Sequence, residues 1–330
     1  MKIAVTIGDS NGIGFEVFLK ALKRINSNKE IEIIFYSNTS IINQWKRFLD
    51  IDYHVDNDIL KVCQHSIQVV NIDANFEISP GNIDYNSGKL AGDALELAVN
   101  DCLSKKVDCL VTLPFSKEAM YLAGWKYPGH TEMLASKTGS KNYMMILFKD
   151  SLRCGLATIH IPINEVSKQL TNANLLNSVR ILNTSLIKDF GIKHPKIAIL
   201  GLNPHAGENG AIGSEEIDII EPAIINAKKL TINLNGPFPA DGFFAHKEYL
   251  NYDAYLAMYH DQGLIPLKLL AAGGGVNFTA GISFVRTSPD HGTAFSIAGK
   301  NIADEQSTLD SINAAIEIFN NRKTFNDIIL

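Results

Sequence analysis

Two kinds of apolar pattern divide this chain. Short apolar runs closed by turn residues predict buried strands at 2–8, 31–36, 107–112, 143–148, 152–159, 197–204 and 254–259. Stretches with apolar residues every three or four positions predict helices at 15–22, 40–49, 89–105, 164–189 and 308–319. Residues 50–80 alternate weakly and predict short strands, and Lys149-Asp150 predicts a hairpin turn. Thr131 and Ser214 stand where helix caps are expected. Residues 235–241 read as a rigid loop ending in the Asp241 carboxylate. No repeat, low-complexity tract or linker interrupts this βα order. It predicts a two-lobed α/β protein with a cleft.

Several predicted strands end on residues that can do chemistry. His160, His205 and His260 each close an apolar run, 45 and 55 residues apart. Ligands in open α/β sheets bind beyond the carboxyl ends of strands. The three imidazoles could therefore meet on one metal, or stand as three separately hydrogen-bonded loop histidines. Gly8-Asp9-Ser10-Asn11-Gly12-Ile13-Gly14 joins a strand to a helix. Its GxxxGxG spacing is neither a Rossmann fingerprint nor a phosphate loop. It is either a close-approach ligand turn or a tight βα connection. Gly88-Lys89 lacks the upstream glycine and following Ser/Thr of a phosphate loop and is rejected as one. Lys117 follows the 107–112 strand, as a site residue or a solvated helix start. His130 opens a helix, where an anion is welcome, or lies exposed in a capping turn. His54 and His65 read as incidental.

Composition narrows the partners. The 330 residues are 46% apolar and 20% charged, enough for two ordinary domains with a large core. A net charge of −5 argues against nucleic acid, so an anionic substrate needs a local cationic cluster. The four cysteines form no CxxC pair and read as reduced core residues. No apolar run reaches the roughly 18 residues of a membrane span, and the N-terminus lacks a signal-peptide pattern. The expectation is a soluble, cytoplasmic protein.

The motifs GDxxGIG (8–14), PGHTE (128–132), GLNPHAGE (201–208), NGPxPAD (235–241), YHDQG (259–263), GVN (275–277) and RTSxDHGTA (286–294) occur together and in order. With them the chain closely resembles the 4-hydroxythreonine-4-phosphate dehydrogenase family of pyridoxine biosynthesis, nearly end to end. The resemblance implies a homodimer of the isocitrate/isopropylmalate dehydrogenase fold, with its active-site cleft between the lobes and a non-Rossmann NAD site. The first domain would comprise 1–125 with 270–330, on the cofactor side. The second would comprise 126–269, carrying the metal histidines and the dimer contact. The family's three metal histidines, contributed by both subunits, match His160, His205 and His260. Its substrate contacts match His130, Thr131, Lys268, Asn277 and Arg286. Gly12 and Gly14 are similar to a nicotinamide-side turn. His291, Gly292 and Thr293, with Asp304, are similar to an adenosine-side loop. One departure is visible: Ser116 and Leu113 replace a histidine and a glycine that many relatives have in the segment ending at Lys117.

The implied reaction is metal-dependent oxidation of 4-phosphooxy-L-threonine at C3 with NAD or NADP, then decarboxylation to 3-amino-2-oxopropyl phosphate. A divalent ion on three imidazoles, zinc before magnesium or cobalt, lowers the pKa of the hydroxyl. Asp241 or Lys117 accepts or relays its proton. Alternatives are a paralogue acting on threonate or erythronate 4-phosphate, or a metal-dependent hydrolase or lyase without nicotinamide.

Overall fold

A computed structural model describes residues 1–25, 30–127 and 129–329, with the side chains of 130, 328 and 329 outside that description. The strands, in chain order, are β1 (Lys2–Thr6), β2 (Glu32–Ser37), β3 (Tyr53–Asp56), β4 (Ile59–Val62), β5 (His65–Asn71), β6 (Cys109–Thr112) and β7 (Met144–Lys149). They continue with β8 (Leu152–Leu156), β9 (Lys196–Leu200), β10 (Asn233–Phe238), β11 (Ala254–Ala257), β12 (Val276–Ala280) and β13 (Val285–Pro289). The helices begin with α1 (Gly14–Arg24), α2 (Thr39–Gln44), α3 (Tyr85–Leu103), α4 (Lys117–Leu122), α5 (His130–Thr138) and α6 (Ile163–Gln169). The rest are α7 (Asn172–Lys188), α8 (Glu221–Lys229), α9 (Ala240–Ala245), α10 (His260–Ala271) and α11 (Gln306–Ile329).

The chain divides into two compact units. Unit 1 is Met1–Gly139 with Ser283–Phe319, and unit 2 is Ser140–Ile282 with Asn320–Leu330. In unit 1 the strand order is β13-β6-β1-β2-β5-β4-β3, parallel from β13 to β5 and antiparallel beyond. The chain winds from β1 to β2 on one side and reaches β6 on the other, so the order reverses between β1 and β6. Such a reversal leaves a crevice at the strands' carboxyl ends. Aromatic side chains fill the core beside it: Phe15 stacks on Phe35 and meets Trp45 and Tyr53. In unit 2 the order is β10-β9-β11-β8-β7-β12, with β10, β9, β11 and β8 parallel and β7 antiparallel to both its neighbours. Tyr255, Leu256, Ala198 and Leu200 are buried in the middle of this sheet.

Several sequence expectations need correction. The 235–241 loop contains strand β10, because Asn233 and Leu234 pair with Lys196 and Ile197 before the register shifts. Thr131 does not cap α5; Gly129 is its N-cap and Thr131 is buried one residue into the helix. Ser214 does not cap either, since its hydroxyl donates to Asp218 Oδ2 at 2.6 Å. Cys63 is exposed at a positive-φ position between β4 and β5, while the other cysteines are buried. Helix α3 starts four residues early because the Asp84 carboxylate accepts from Ser87 N at 2.8 Å. Gly88 there serves packing: a Cβ on it would lie 2.0 Å from the Ala119 carbonyl oxygen.

Candidate active site

The four parallel strands of unit 2 each lead into one expected residue: Asp241 after β10, His205 after β9, His260 after β11 and His160 after β8. β8 stops at Leu156. Two bonds carry the following segment onto the β11 end, Ala157 N to the Ala257 carbonyl at 2.8 Å and Thr158 Oγ1 to the Met258 carbonyl at 2.7 Å. They bring His160 beside His260, with ring centroids 5.9 Å apart and planes at 40°. A ring nitrogen about 2 Å from a metal places its ring centre about 3 Å away, so two rings on one ion lie within about 6 Å. The pair meets that limit. His260 does not precede a turn, as the sequence suggested, but opens α10. Its Nδ1 lies 2.7 Å from Asp261 Oδ1. The ionised carboxylate can only accept, so Nδ1 carries the hydrogen and the Nε2 lone pair is left for a ligand, the usual support of a metal-binding histidine.

His205 sits in an unusual turn. Residues His205, Ala206, Glu208 and Asn209 all have φ between 44° and 54°. A left-handed run costs roughly 1–2 kcal/mol for each residue with a side chain, so other bonds must impose it. The Glu216 carboxylate, 2% exposed, accepts from Leu202 N at 2.7 Å and Asn203 N at 2.8 Å. Asn203 Nδ2 donates to Glu215 and Glu216. Gln262 then links this turn to the His260 end of β11, donating to the Gly201 carbonyl at 2.6 Å and accepting from Met258 N at 2.7 Å. Among the described residues, no three His, Cys, Asp or Glu side chains of one chain are grouped to hold a metal. One chain brings His160 and His260 together.

The remaining expected residues of unit 2 are spread out. Asp241 is exposed on α9, which lies beside the 204–210 turn. Lys268 is two helical turns beyond His260, roughly 12 Å along the axis. Asn277 is on β12 opposite Leu147, and its Oδ1 is buried without a hydrogen-bond partner.

Unit 1 holds the others on β13 and in the segments that follow β13, β6 and β1. Arg286 is 3% exposed on β13. Its Nε and Nη2 donate to Thr112 Oγ1 at 3.2 and 2.7 Å. Burial lowers its pKa to about 10, partly countered by the Glu132 carboxylate. Ser116 caps α4 by accepting from Ala119 N at 3.1 Å. Lys117 follows it, exposed, with Cε 3.9 Å from where a Cβ on Gly129 would lie. The side chain of His130 lies outside the described residues.

The two expected cofactor loops meet within unit 1. Ile13 N donates to the Thr293 carbonyl at 3.0 Å, and a Cβ on Gly12 would lie 3.0 Å from that oxygen and from Thr293 Cβ. Gly14 is backed by the Ile7 carbonyl and Gly292 faces open space. His291 Nε2 is buried without a partner. Gly12 and Gly14 thus let the two loops pack closely, while the orphaned His291 Nε2 beside the open face of Gly292 is what fits a polar ligand such as a dinucleotide. Asp304 is exposed and accepts from Gln306 N at 2.7 Å at the start of α11. Glu16 was not singled out in the sequence, yet it and Lys20 clasp residues 301–303: Ala303 N donates to Glu16, and Lys20 donates to the Asn301 and Ala303 carbonyls. Asn11 holds the turn itself. Its side chain accepts from Ser79 N and donates to the Asn82 carbonyl, and its carbonyl accepts from Gly81 N.

Asp9, in the same turn, is buried, which raises its pKa from 3.8 to about 6; the Asn11 N–H opposes the rise and Asp84 adds to it. Between these two values the folded carboxyl keeps a proton that the unfolded one has lost. Stability therefore falls as pH rises through that window, by up to about 3 kcal/mol. Asp9→Asn keeps the acceptor for Asn11 and removes the charge. It should unfold at higher urea than the native chain near pH 8, with the gap closing near pH 4. A variant less stable near pH 8 would refute the buried-charge account.

The sequence profile described as "Pyridoxal phosphate biosynthetic protein PdxA" matches residues 23–315. The 4-hydroxythreonine-4-phosphate dehydrogenase of Sulfurihydrogenibium sp. is 42% identical over 98% of this chain and 100% of its own length. The chain belongs to the PdxA family. It is a dehydrogenase that uses a nicotinamide cofactor. Within the family's reach, a "Putative D-threonate 4-phosphate dehydrogenase" of Oceanobacillus iheyensis is 36% identical over 96% of this chain and 97% of its own. The crystal structure of 4-hydroxythreonine-4-phosphate dehydrogenase from Klebsiella pneumoniae superposes with a TM-score of 0.80 at 35% identity, covering 96% and 99% of the two chains. The expected isocitrate dehydrogenase-like fold is also found: isocitrate dehydrogenase from Methylococcus capsulatus matches at TM-score 0.52 and 13% identity, over 98% and 86%. Among the described residues no helix is long and apolar enough to cross a membrane.

Proposed function

We propose that the chain oxidises 4-hydroxythreonine 4-phosphate at C3, passing hydride to NAD or NADP, in cytoplasmic pyridoxal phosphate synthesis. The 3-oxo acid so formed loses carbon dioxide to give 3-amino-2-oxopropyl phosphate. The observation that carries this reading is the His160–His260 pair at neighbouring strand ends, with Asp261 fixing one ring. The activity named for the relatives supports it. In this reading His160, His205 and His260 hold one divalent ion, and neutral imidazole suits zinc before magnesium or cobalt. When bound, the ion supplies Lewis acidity towards negative charge developing on oxygen. A homodimer completes the site.

The chain's own groups do the rest. Asp241 or Lys117 takes the hydroxyl proton. Arg286 and Lys268 hold the substrate's anionic groups, Arg286 with a guanidinium already fixed by Thr112. His130 and Thr131 add contacts at the start of α5. Asn277 Oδ1 offers a buried acceptor to the substrate ammonium. Gly12, Gly14, His291, Gly292 and Thr293 receive the dinucleotide, with Asp304 at its adenosine end. The dehydrogenase activity named for the relatives weighs against a hydrolase or lyase.

A second reading, D-threonate 4-phosphate as substrate, draws on the Oceanobacillus relative. The Asn277 acceptor can take the C2 hydroxyl of threonate as well as an ammonium, and it favours the aminated substrate because the charge-assisted bond is the stronger. Turnover of both substrates with NAD and NADP, followed by reduced-nicotinamide absorbance, separates them. The aminated substrate should have the higher kcat/KM by at least about tenfold. A reversed preference selects threonate, and reduction with neither sinks both.

A further inference from the structure

Unit 2 contains a cavity of about 430 Å³, built from none of the residues placed in the candidate active site. One wall is a face of α7 carrying Asn177, Arg180, Thr184 and Lys188, spaced three or four residues apart. Asn142, Gly281 and Arg322 close it. Three cations there, Arg180, Lys188 and Arg322, face one lining carboxylate, Asp189.

That carboxylate is already committed. Asp189 accepts from Arg322 Nε at 2.6 Å and from Ser185 Oγ at 2.6 Å, with both ion-pair partners largely buried. Arg322 also donates to the Ile282 carbonyl at 3.4 Å and lies near the Phe278 ring. Its guanidinium is thus a fixed positive base to the cavity. Arg180 and Lys188 have no hydrogen bond or ion pair to a described residue. Partial burial, with the charge of Arg322 next, lowers the Lys188 pKa, Asp189 opposing. Two positive charges remain after Asp189 is counted, in a concave site where they reinforce each other.

We propose that this cavity binds a small phosphate monoester, a dianion that matches the two uncompensated charges. Arg180 and Lys188 take the phosphate, as a fork and a point charge. Arg322 stands beneath as a held cation. Asn142 and Asn177, joined by an Asn177 Nδ2 to Asn142 Oδ1 bond of 3.1 Å, face the organic part. The volume exceeds what a bare phosphate ion needs, so the short tail has room.

Isothermal titration of the full-length protein with glycerol 3-phosphate and, separately, inorganic phosphate tests this. Comparison is with the Arg180→Ala/Lys188→Ala double variant, whose substitutions lie outside the residues assigned to catalysis. The wild type should bind one more equivalent of glycerol 3-phosphate per chain than the double variant, or bind that equivalent at least tenfold more tightly. The variant should keep the native kcat and KM in the dehydrogenase assay. A Lys188→Arg variant should retain the extra equivalent. If inorganic phosphate binds there as tightly as the monoester, the phosphate group alone carries recognition and the site stands. Equal stoichiometry and affinity in wild type and double variant, for both probes, overturns it.

Discussion

His260→Ala is expected to lose its divalent ion on dialysis and to lower turnover by more than about a hundredfold. Removing even a group that supports a metal ligand typically costs 10–100-fold, and His260 is placed to be a ligand itself. Asp261→Asn should show that smaller cost, because the amide no longer accepts unambiguously from Nδ1 and the ring loses its fixed tautomer. Elemental analysis and a metal titration read both effects. The pairing of His160 with His260 in one chain makes a further demand. If a dimer shares the ion, these two come from one subunit and His205 from the other. Mixed dimers of His205→Ala and His260→Ala subunits should then regain activity at one site in each hybrid. Mixtures of His160→Ala with His260→Ala should not, since every site there lacks a ligand of the pair. Full metal content in His260→Ala would remove it from the ligand set. Recovery in the second mixture alone would place His160 and His260 in different sites' contributions.

Much of this was legible in the chain because strand ends announce themselves. An apolar run that stops on histidine or lysine marks both a buried strand and a polar residue at its carboxyl end, which located His160, His205, His260 and Lys117 within a few residues. What could not be read is what holds those residues. Glu216 lies 11 positions beyond His205 in a stretch that looks like an ordinary acidic helix start, yet its carboxylate secures the left-handed turn. Gln262 looks like a turn residue and acts as a tie between two strand ends. Glu16 sits among apolar residues of α1 and pairs with a loop 287 positions away. Each is a polar group satisfied at long range, and hydrophobic period carries no information about such partners. Strand β10 was missed for a related reason. Asn235-Gly236-Pro237 reads as a break, but neighbouring β9 supplies the pairing.

Replacing Arg286 should separate what binding requires from what folding prefers. Arg286→Met keeps most of the buried volume and removes the charge. Burial lowers the Arg286 pKa to about 10, below the usual arginine range, so the folded chain holds this cation at a cost. Unfolded arginine binds its proton more tightly, so stability rises as pH passes above about 10 and the penalty is in force throughout the neutral range. Its scale is about 3 kcal/mol. Loss of the two bonds to Thr112 works the other way, by about 1–3 kcal/mol. The two nearly offset, so the urea midpoint of Arg286→Met should stay close to native or rise. That is unlike an ordinary truncation in a core, which costs 2–5 kcal/mol. Substrate binding should respond very differently. A buried guanidinium that meets an anion is worth about 2–5 kcal/mol when removed, so KM for the phosphorylated substrate should increase by about a hundredfold or more. A native KM would take Arg286 out of anion binding. A midpoint lowered by several kcal/mol would make it a structural cation held by Thr112 and Glu132. A native-like midpoint with a much weaker KM is the outcome expected of a charge kept in the core for its substrate.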